Sequence, residues 1–220
     1  MQTVKLRILY DNIALEGFRS GYGFSCLIEE PRTLFDTGGD VLTLLHNMDK
    51  FGVDPGDVDR VVLSHEHGDH TGGVEILKHC GEVEVYLLSS SSDRLKRRVA
   101  SYPNAHLKQV SGSQRVYEGI FTTGELGRSV KEQSLMAETG EGLVLVTGCA
   151  HPGLDNILQV ASKFGGIYGV VGGFHGFSEL ERLRRMRLIV ACHCTRHKRE
   201  ILNRYPGSSV KCSAGCTIEI

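Results

Sequence analysis

Val4, Leu6, Ile8 and Tyr10 alternate with Lys5, Arg7 and Leu9, the two-residue period of a strand with one drier face. Residues 24–28 and 33–35 read as the next strands, joined by the turn Glu30-Pro31-Arg32. Val41, Leu44, Leu45, Met48 and Phe51 fall on one helical stripe, which Gly52 ends and Pro55 follows. A short apolar strand at 61–63 runs directly into Ser64-His65-Glu66-His67-Gly68-Asp69-His70.

The second half repeats this rhythm. A strand at 143–146 runs into Thr147-Gly148-Cys149-Ala150-His151, and Leu154, Ile157, Leu158, Ala161 and Phe164 mark a helix. A strand at 167–171 runs into Gly172-Gly173-Phe174-His175. Ser178 and Glu181 have capping-box spacing and predict a helix start. A strand at 188–191 runs into Cys192-His193-Cys194, and a short helix at 196–205 and a strand near 217–220 follow. Residues 81–134 carry the weakest periodicity. Metal-type residues thus recur just past the C-terminal ends of strands, the edge where α/β proteins build ligand sites. The pattern predicts an α/β (α+β) chain: a four-layer αβ/βα sandwich of two mixed β-sheets with helices outside, residues 1–220 forming one domain.

Composition narrows the function classes. At 220 residues the chain can bury a proper core. Its net charge is −1, with no long basic stripe, so nucleic acid is not expected as a partner. The local run Arg94, Lys96, Arg97, Arg98 reads as a solvated helix face, with a phosphate-contacting lid as the alternative. No apolar run approaches the ~20 residues that cross a membrane. The first ten residues lack a signal-peptide core, which gives a cytoplasmic location as the expectation. Seven cysteines, an odd number, read as reduced thiols.

The chemistry centres on His65-x-His67-x-Asp69-His70. In a loop after a strand, His65 and His67 can face one position and Asp69 with His70 an adjacent one. Imidazole nitrogen and carboxylate oxygen are ligand types that zinc, iron and manganese accept. Gly68 and the pair Gly72-Gly73 give the backbone room for so tight a turn. A chance surface loop accounts poorly for this density of ligands directly after a buried strand. His151, His175 and His193 taken singly could each be ordinary core or surface residues. Each nevertheless follows an apolar strand beside Gly or Cys, which places it in the same site.

The stretch from Val62 through His65, His67, Asp69 and His70 to Gly73 resembles the metal-binding signature of the metallo-β-lactamase superfamily, and Leu34-Phe35-Asp36-Thr37-Gly38 resembles its upstream strand and turn. Thr147-Gly148-Cys149-Ala150-His151-Pro152-Gly153, Gly172-Gly173-Phe174-His175 and His193-Cys194-Thr195 are similar to one subgroup. That subgroup includes the archaeal 7,8-dihydropterin-6-yl-methyl-4-(β-D-ribofuranosyl)aminobenzene 5′-phosphate synthase. The resemblance implies that His65, His67 and His151 hold a first metal and Asp69, His70 and His193 a second. It implies zinc, one or two ions, with manganese or iron as alternatives. Asp36 resembles the carboxylate that orients a ligand histidine. Where the superfamily usually places a bridging Asp, this chain has Cys149, which either ligates as thiolate or leaves the second metal weak. A second departure is Thr195-Arg196, where the subgroup tends to have Thr-Gly. Asp69 and His175 are the catalytic candidates, and Arg196, with Lys198 near it, the candidate for binding a substrate phosphate. Cys192, Cys194, Cys212 and Cys216 have spacings that fit a structural zinc poorly and read as buried thiols.

A bound metal offers Lewis acidity and a water whose pKa falls from about 15.7 to about 7. Hydrolysis of an ester, lactone, amide or phosphoester follows from that directly. The subgroup resemblance implies instead transfer of a dihydropterin-methyl group from its diphosphate to an arylamine-type nucleophile. Either way the expected partner is a small molecule, phosphorylated or pterin-like. Two other classes remain open: an iron redox enzyme, which needs a flavin partner, and a non-catalytic metal-binding or ligand-sensing domain. No Walker-type loop supports an ATP-driven reaction.

Overall fold

The computed structural model describes residues 4–220, so the expectation for the extreme N-terminus lies partly outside the described residues. The strands are β1 (Lys5–Tyr10), β2 (Ser25–Ile28), β3 (Thr33–Phe35), β4 (Arg60–Val62), β5 (Val83–Leu88), β6 (Ala105–Val110), β7 (Gln114–Tyr117), β8 (Ile120–Thr122), β9 (Leu135–Thr139), β10 (Gly142–Thr147), β11 (Ile167–Gly172), β12 (Leu188–Ala191) and β13 (Thr217–Glu219). The helices are α1 (Val41–Lys50), α2 (Gly68–Thr71), α3 (Asp93–Ala100), α4 (Leu154–Ala161) and α5 (Lys198–Arg204). One sheet runs in the order β13-β1-β2-β3-β4-β5-β6 and the other β12-β11-β10-β9-β8-β7. Both are mixed: β3 to β6 pair in parallel, as do β10, β11 and β12, while their other pairings are antiparallel.

Alternation along the strands builds the layers. Cys26, Ile28, Phe35 and Val62 face Val144, Val146, Val171 and Val190 between the sheets. The intervening Leu27, Leu34 and Val61 point outward, onto Leu44 and Met48 of α1 and Leu95 and Val99 of α3. Leu145, Val170 and Ile189 do the same on the other side, against Leu154 and Ile157 of α4 and Ile201 of α5. The result is the expected four-layer sandwich. Each fully buried side chain of this kind contributes about 1.5–3 kcal/mol of transfer free energy. Arg94, Arg97 and Arg98 lie on the exposed face of α3, as a solvated helix requires. No helix among the described residues is long and apolar enough to cross a membrane.

Two local expectations need correction. Ser178 and Glu181 do not open an α-helix; the segment makes only a 3-10 turn, Leu180–Leu183, with no side-chain cap. Glu181 is drawn instead to Arg184 and Arg204, while the Tyr205 hydroxyl takes the Leu180 carbonyl. The helix expected to reach residue 164 stops at Ala161, where Ser162 closes the last turn.

The functional edge is set by strand direction. The C-terminal ends of β1, β3, β4, β10, β11 and β12 release Asp11-Asn12, Asp36, the 65–70 loop, Cys149-Ala150-His151, His175 and His193. At four of these junctions a non-glycine residue takes a left-handed backbone: Asp36 (φ 57), Ala150 (φ 58), His175 (φ 46) and His193 (φ 40). Each such residue costs on the order of 1 kcal/mol or more and persists where surrounding structure holds it, most often at functional sites.

Candidate metal centre

Asp36 is the buried hub of the centre. Its Oδ1 accepts the Ser64 backbone N–H at 2.7 Å, and its Oδ2 accepts the Ser64 hydroxyl at 2.7 Å and the His70 Nδ1–H at 2.6 Å. Because Ser64 gives its hydrogen to Asp36, its oxygen is left to accept from His65 Nδ1 at 2.9 Å. One carboxylate therefore fixes Nδ1 as the donor in both His65 and His70 and turns both Nε2 atoms toward the centre. His65 Nε2 lies 3.1 Å from His67 Nδ1, and His70 Nε2 lies 3.2 Å from Cys149 Sγ. The short helix α2 turns the chain so that Asp69 reaches back toward the same place.

His193 arrives from β12 and is held in the same manner. Asn12 Oδ1 accepts its Nδ1–H at 2.8 Å, Asn12 Nδ2 donates to its carbonyl at 3.1 Å, and Asp11 accepts its backbone N–H. His193 Nε2 then sits 3.1 Å from Asp69 Oδ2, which is also 3.5 Å from His70 Nε2.

The Cys149–His151 turn is fastened by Glu132. Its Oε1 accepts the N–H groups of Cys149 (3.0 Å) and Ala150 (2.9 Å), and its Oε2 that of His151 (2.9 Å). The His151 ring comes within 4.8 Å of the His65 ring and 4.9 Å of the His67 ring, centroid to centroid. Donor atoms of Asp69, His70, Cys149 and His193 lie within 4.8 Å of one another, and so do those of His65, Cys149 and His151. Cys149 is common to both groups.

The electrostatics suit a cation. Burial, reinforced by the neighbouring histidines, holds His65 far below the usual imidazole range, and the same causes lower His151 to about 4. Burial also works against charge on His70, but Asp36 outweighs it, with help from Asp69, and pushes His70 up to about 10. Burial opposes ionisation of Asp69, yet hydrogen bonds from His193 and His70 win and hold it well below the carboxylate range. A hydrogen bond to Cys194, then burial, raises Cys149, while Cys194 is lowered by that same bond. The negative field of Asp36 and Asp69 that favours a proton on His70 would also favour a divalent cation that displaces it. His151 Nε2 is buried without a hydrogen-bond partner. An orphaned imidazole nitrogen aimed into a cluster of nitrogen, oxygen and sulfur donors fits a zinc-type ion.

The structure brings together His65, His67, Asp69, His70, Cys149, His151 and His193, with Asp36 beneath them. His175 stands at the rim, exposed, its ring 5.0 Å from that of His151. Arg196 is exposed and lines a groove along α5 with His197, Arg199 and Asn203. The C-terminal cysteines do not gather: Cys192 and Cys212 lie buried with Asp11, whereas Cys194 reaches Cys149 and Cys216 reaches the Lys211 carbonyl. Sequence reasoning missed Asp11, Asn12, Ser64 and Glu132. It also missed a cleft of about 260 Å³ beside His67, lined by Glu66, Ser90, Ser91, Ser129 and Lys131 with Leu88 and Val130 as apolar walls.

Comparison with known proteins agrees with this architecture. The chain is 28% identical to the 7,8-dihydropterin-6-methyl-4-(beta-D-ribofuranosyl)-aminobenzene-5'-phosphate synthase of Methanocaldococcus jannaschii, over 83% of this chain and 84% of that protein. The solved structure of Tm1679, described as a metal-dependent hydrolase of the beta-lactamase superfamily, superposes with a TM-score of 0.83 at 29% identity, covering 99% of each chain. The metallo-beta-lactamase fold protein YhfI from Bacillus subtilis shares the fold, with a TM-score of 0.74 at 13% identity over 100% of each chain. Residues 21–159 match the family model of the metallo-beta-lactamase superfamily. With that match spanning most of its length, the chain belongs to the metallo-beta-lactamase superfamily.

Proposed function

We propose that this chain is a metal-dependent enzyme that transfers a dihydropterin-methyl group from its diphosphate to an arylamine-type nucleophile. The observation that carries the metal reading is the pair of donor clusters meeting at Cys149. The name of the Methanocaldococcus jannaschii relative supports the choice of reaction. His65, His67 and His151 would hold a first ion, Asp69, His70 and His193 a second, with Cys149 between them. Zinc is the first choice, manganese or iron the alternatives. Bound there, the metal supplies Lewis acidity toward phosphoryl or carbonyl oxygens.

The chain's own residues supply the rest. In the transfer, the carbon–oxygen bond to the diphosphate breaks as the bond to the nucleophile forms, and the nucleophile's proton goes to a base. Asp69, between His193 and His70, is the candidate to take that proton, and His175, exposed on the rim beside His151, the candidate to exchange protons with solvent. The cleft beside His67 offers serine hydroxyls and the Lys131 ammonium to the polar end of the substrate. Arg196, on its groove along α5, is a secondary candidate for a substrate phosphate. A cytoplasmic location and a small-molecule partner belong to this reading.

The Tm1679 description favours a second reading, hydrolysis of an ester, lactone or phosphoester by the same residues. Elemental analysis of protein never exposed to chelator is expected to return at least one transition metal per chain. Assays with a pterin-methyl diphosphate plus an arylamine, run beside ester and phosphodiester substrates, then separate transfer from hydrolysis. No transition metal, or no turnover of any of them by loaded protein, would overturn the proposal.

Cys149 provides a further check. Cys149→Asp restores a carboxylate between the clusters and is expected to keep or tighten the second ion. Cys149→Ala removes that donor and is expected to weaken the second ion by about 10-fold or more, read by competition with a chromophoric chelator. Unchanged affinities in Cys149→Ala would make Cys149 a bystander.

A further inference from the structure

Tyr22 belongs to the loop between β1 and β2 and is 67% exposed, although its ring meets the His193 ring edge-on with centroids 4.8 Å apart. The loop around it is pinned. Gly21 N–H donates to the Asp11 carbonyl at 3.1 Å, Gly23 N–H to Asn12 Oδ1 at 3.3 Å and Phe24 N–H to the Asp69 carbonyl at 3.3 Å. A Cβ at Gly21 would fall 2.2 Å from the Tyr10 hydroxyl oxygen, and one at Gly23 2.3 Å from the Asp69 carbonyl oxygen. The backbone before Tyr22 is therefore pressed against Tyr10, and the backbone after it against the Asp69 carbonyl at the edge of the metal centre.

An aromatic ring left mostly in water contributes little hydrophobic stabilisation to its own fold. Fixed in place with few torsions to freeze, it is instead a pre-ordered contact surface for a ligand. Its position gives that surface a direction. Ring contacts run from Tyr22 to His193, from His193 to His70 (5.3 Å), from His70 to His65 (4.3 Å) and from His65 to His67 (4.6 Å). Beyond His67 lies the polar cleft. The run thus has a flat aromatic ring at one end and, at the other, hydroxyls, the Lys131 ammonium and the Glu66 carboxylate, which Ser92 already engages.

We infer that Tyr22 is the platform on which a planar aromatic ring of the substrate stacks while the polar end reaches across the centre toward the cleft. The inference rests on the proposed reading that the metal centre is the reaction site, and it narrows the substrate to a compound that joins a flat ring to a polar or phosphorylated arm. The contact is a specificity determinant, and stacking requires only the ring.

The test uses metal-loaded protein and three probes followed by calorimetry: 6-hydroxymethyl-7,8-dihydropterin, 4-aminobenzoate and inorganic diphosphate. Tyr22→Phe is expected to keep wild-type affinity for the ring probes within about twofold. Tyr22→Ala is expected to lose about tenfold for them, with diphosphate affinity and metal content unchanged. Equal ring binding by wild type and Tyr22→Ala would overturn the inference. So would loss of metal in Tyr22→Ala, because the ring would then be a buttress for His193. If wild type binds 4-aminobenzoate but not the dihydropterin, and Tyr22→Ala weakens it, the pterin-transfer reading falls and the Tyr22 platform stands. If neither ring binds wild type, the platform is wrong whatever the reaction.

Discussion

Replacing Asp69 with alanine is expected to lower kcat by about a thousandfold or more, the scale of losing a positioned acid–base group together with the charge that anchors its neighbours. The carboxylate lies between His193 Nε2 at 3.1 Å and His70 Nε2 at 3.5 Å, so its removal leaves two imidazoles facing one another with no anion between them. It does not touch the contacts among His65, His67 and His151, which are carried by Ser64, Asp36 and Glu132. Elemental analysis of Asp69→Ala should accordingly keep one ion while turnover disappears. Asp69→Asn preserves shape but not charge, and should fall nearly as far. Residual activity within tenfold of wild type in either variant would exclude Asp69 from the chemistry. Loss of both ions would show instead that the two clusters do not bind independently.

Much of the centre was legible because strands deliver it. Every expected ligand follows an apolar run, and a two-residue or 3.6-residue period can be read from spacing alone. The same rule reached too few residues at the N-terminus. Asp11-Asn12 follows β1 just as His193 follows β12, yet two ordinary polar residues after a strand carry no metal signature of their own. Their role exists only because β1 and β12 end at the same edge. Cys192 and Cys194 illustrate a different limit. Their spacing reads as a pair of buried thiols; the left-handed turn at His193 sends Cys192 toward Cys212 between the sheets and leaves Cys194 half-buried beside Cys149. Capping spacing at Ser178 was outweighed by ion pairs from a helix more than twenty positions away, which no local pattern records.

Glu132 was the least legible of all and carries the largest expected effect on stability. It lies in the stretch with no clear periodicity, and its partners are backbone amides of a turn that follows later in the chain, so no side-chain motif announces it. Fully buried, it receives three N–H groups. Burial pushes its carboxyl up, and those same three amide hydrogens pull it down. Its flanks are anchored as firmly: Leu126 and Glu132 exchange both backbone hydrogen bonds, and Gln133 Nε2 donates to the Leu63 carbonyl at 2.9 Å. Glu132→Ala would leave three buried donors without acceptors, each worth about 1–3 kcal/mol, and relaxation would recover only part of that. The expected loss is about 3–5 kcal/mol, a large share of the roughly 5–15 kcal/mol that holds a domain folded. The left-handed Ala150 would lose the bond that holds it, and His151 would drift from His65 and His67. Glu132→Gln should fall between, because its amide group offers one acceptor oxygen and turns a donor toward the remaining N–H. Urea unfolding should move the midpoint at an unchanged m-value, and the drop should persist when metal is chelated from both proteins. A midpoint that separates wild type from Glu132→Ala only in the presence of metal would mean that Glu132 merely places His151. Equal loss with and without metal makes it a structural tie between the segment before β9 and the turn after β10, one on which the metal centre depends.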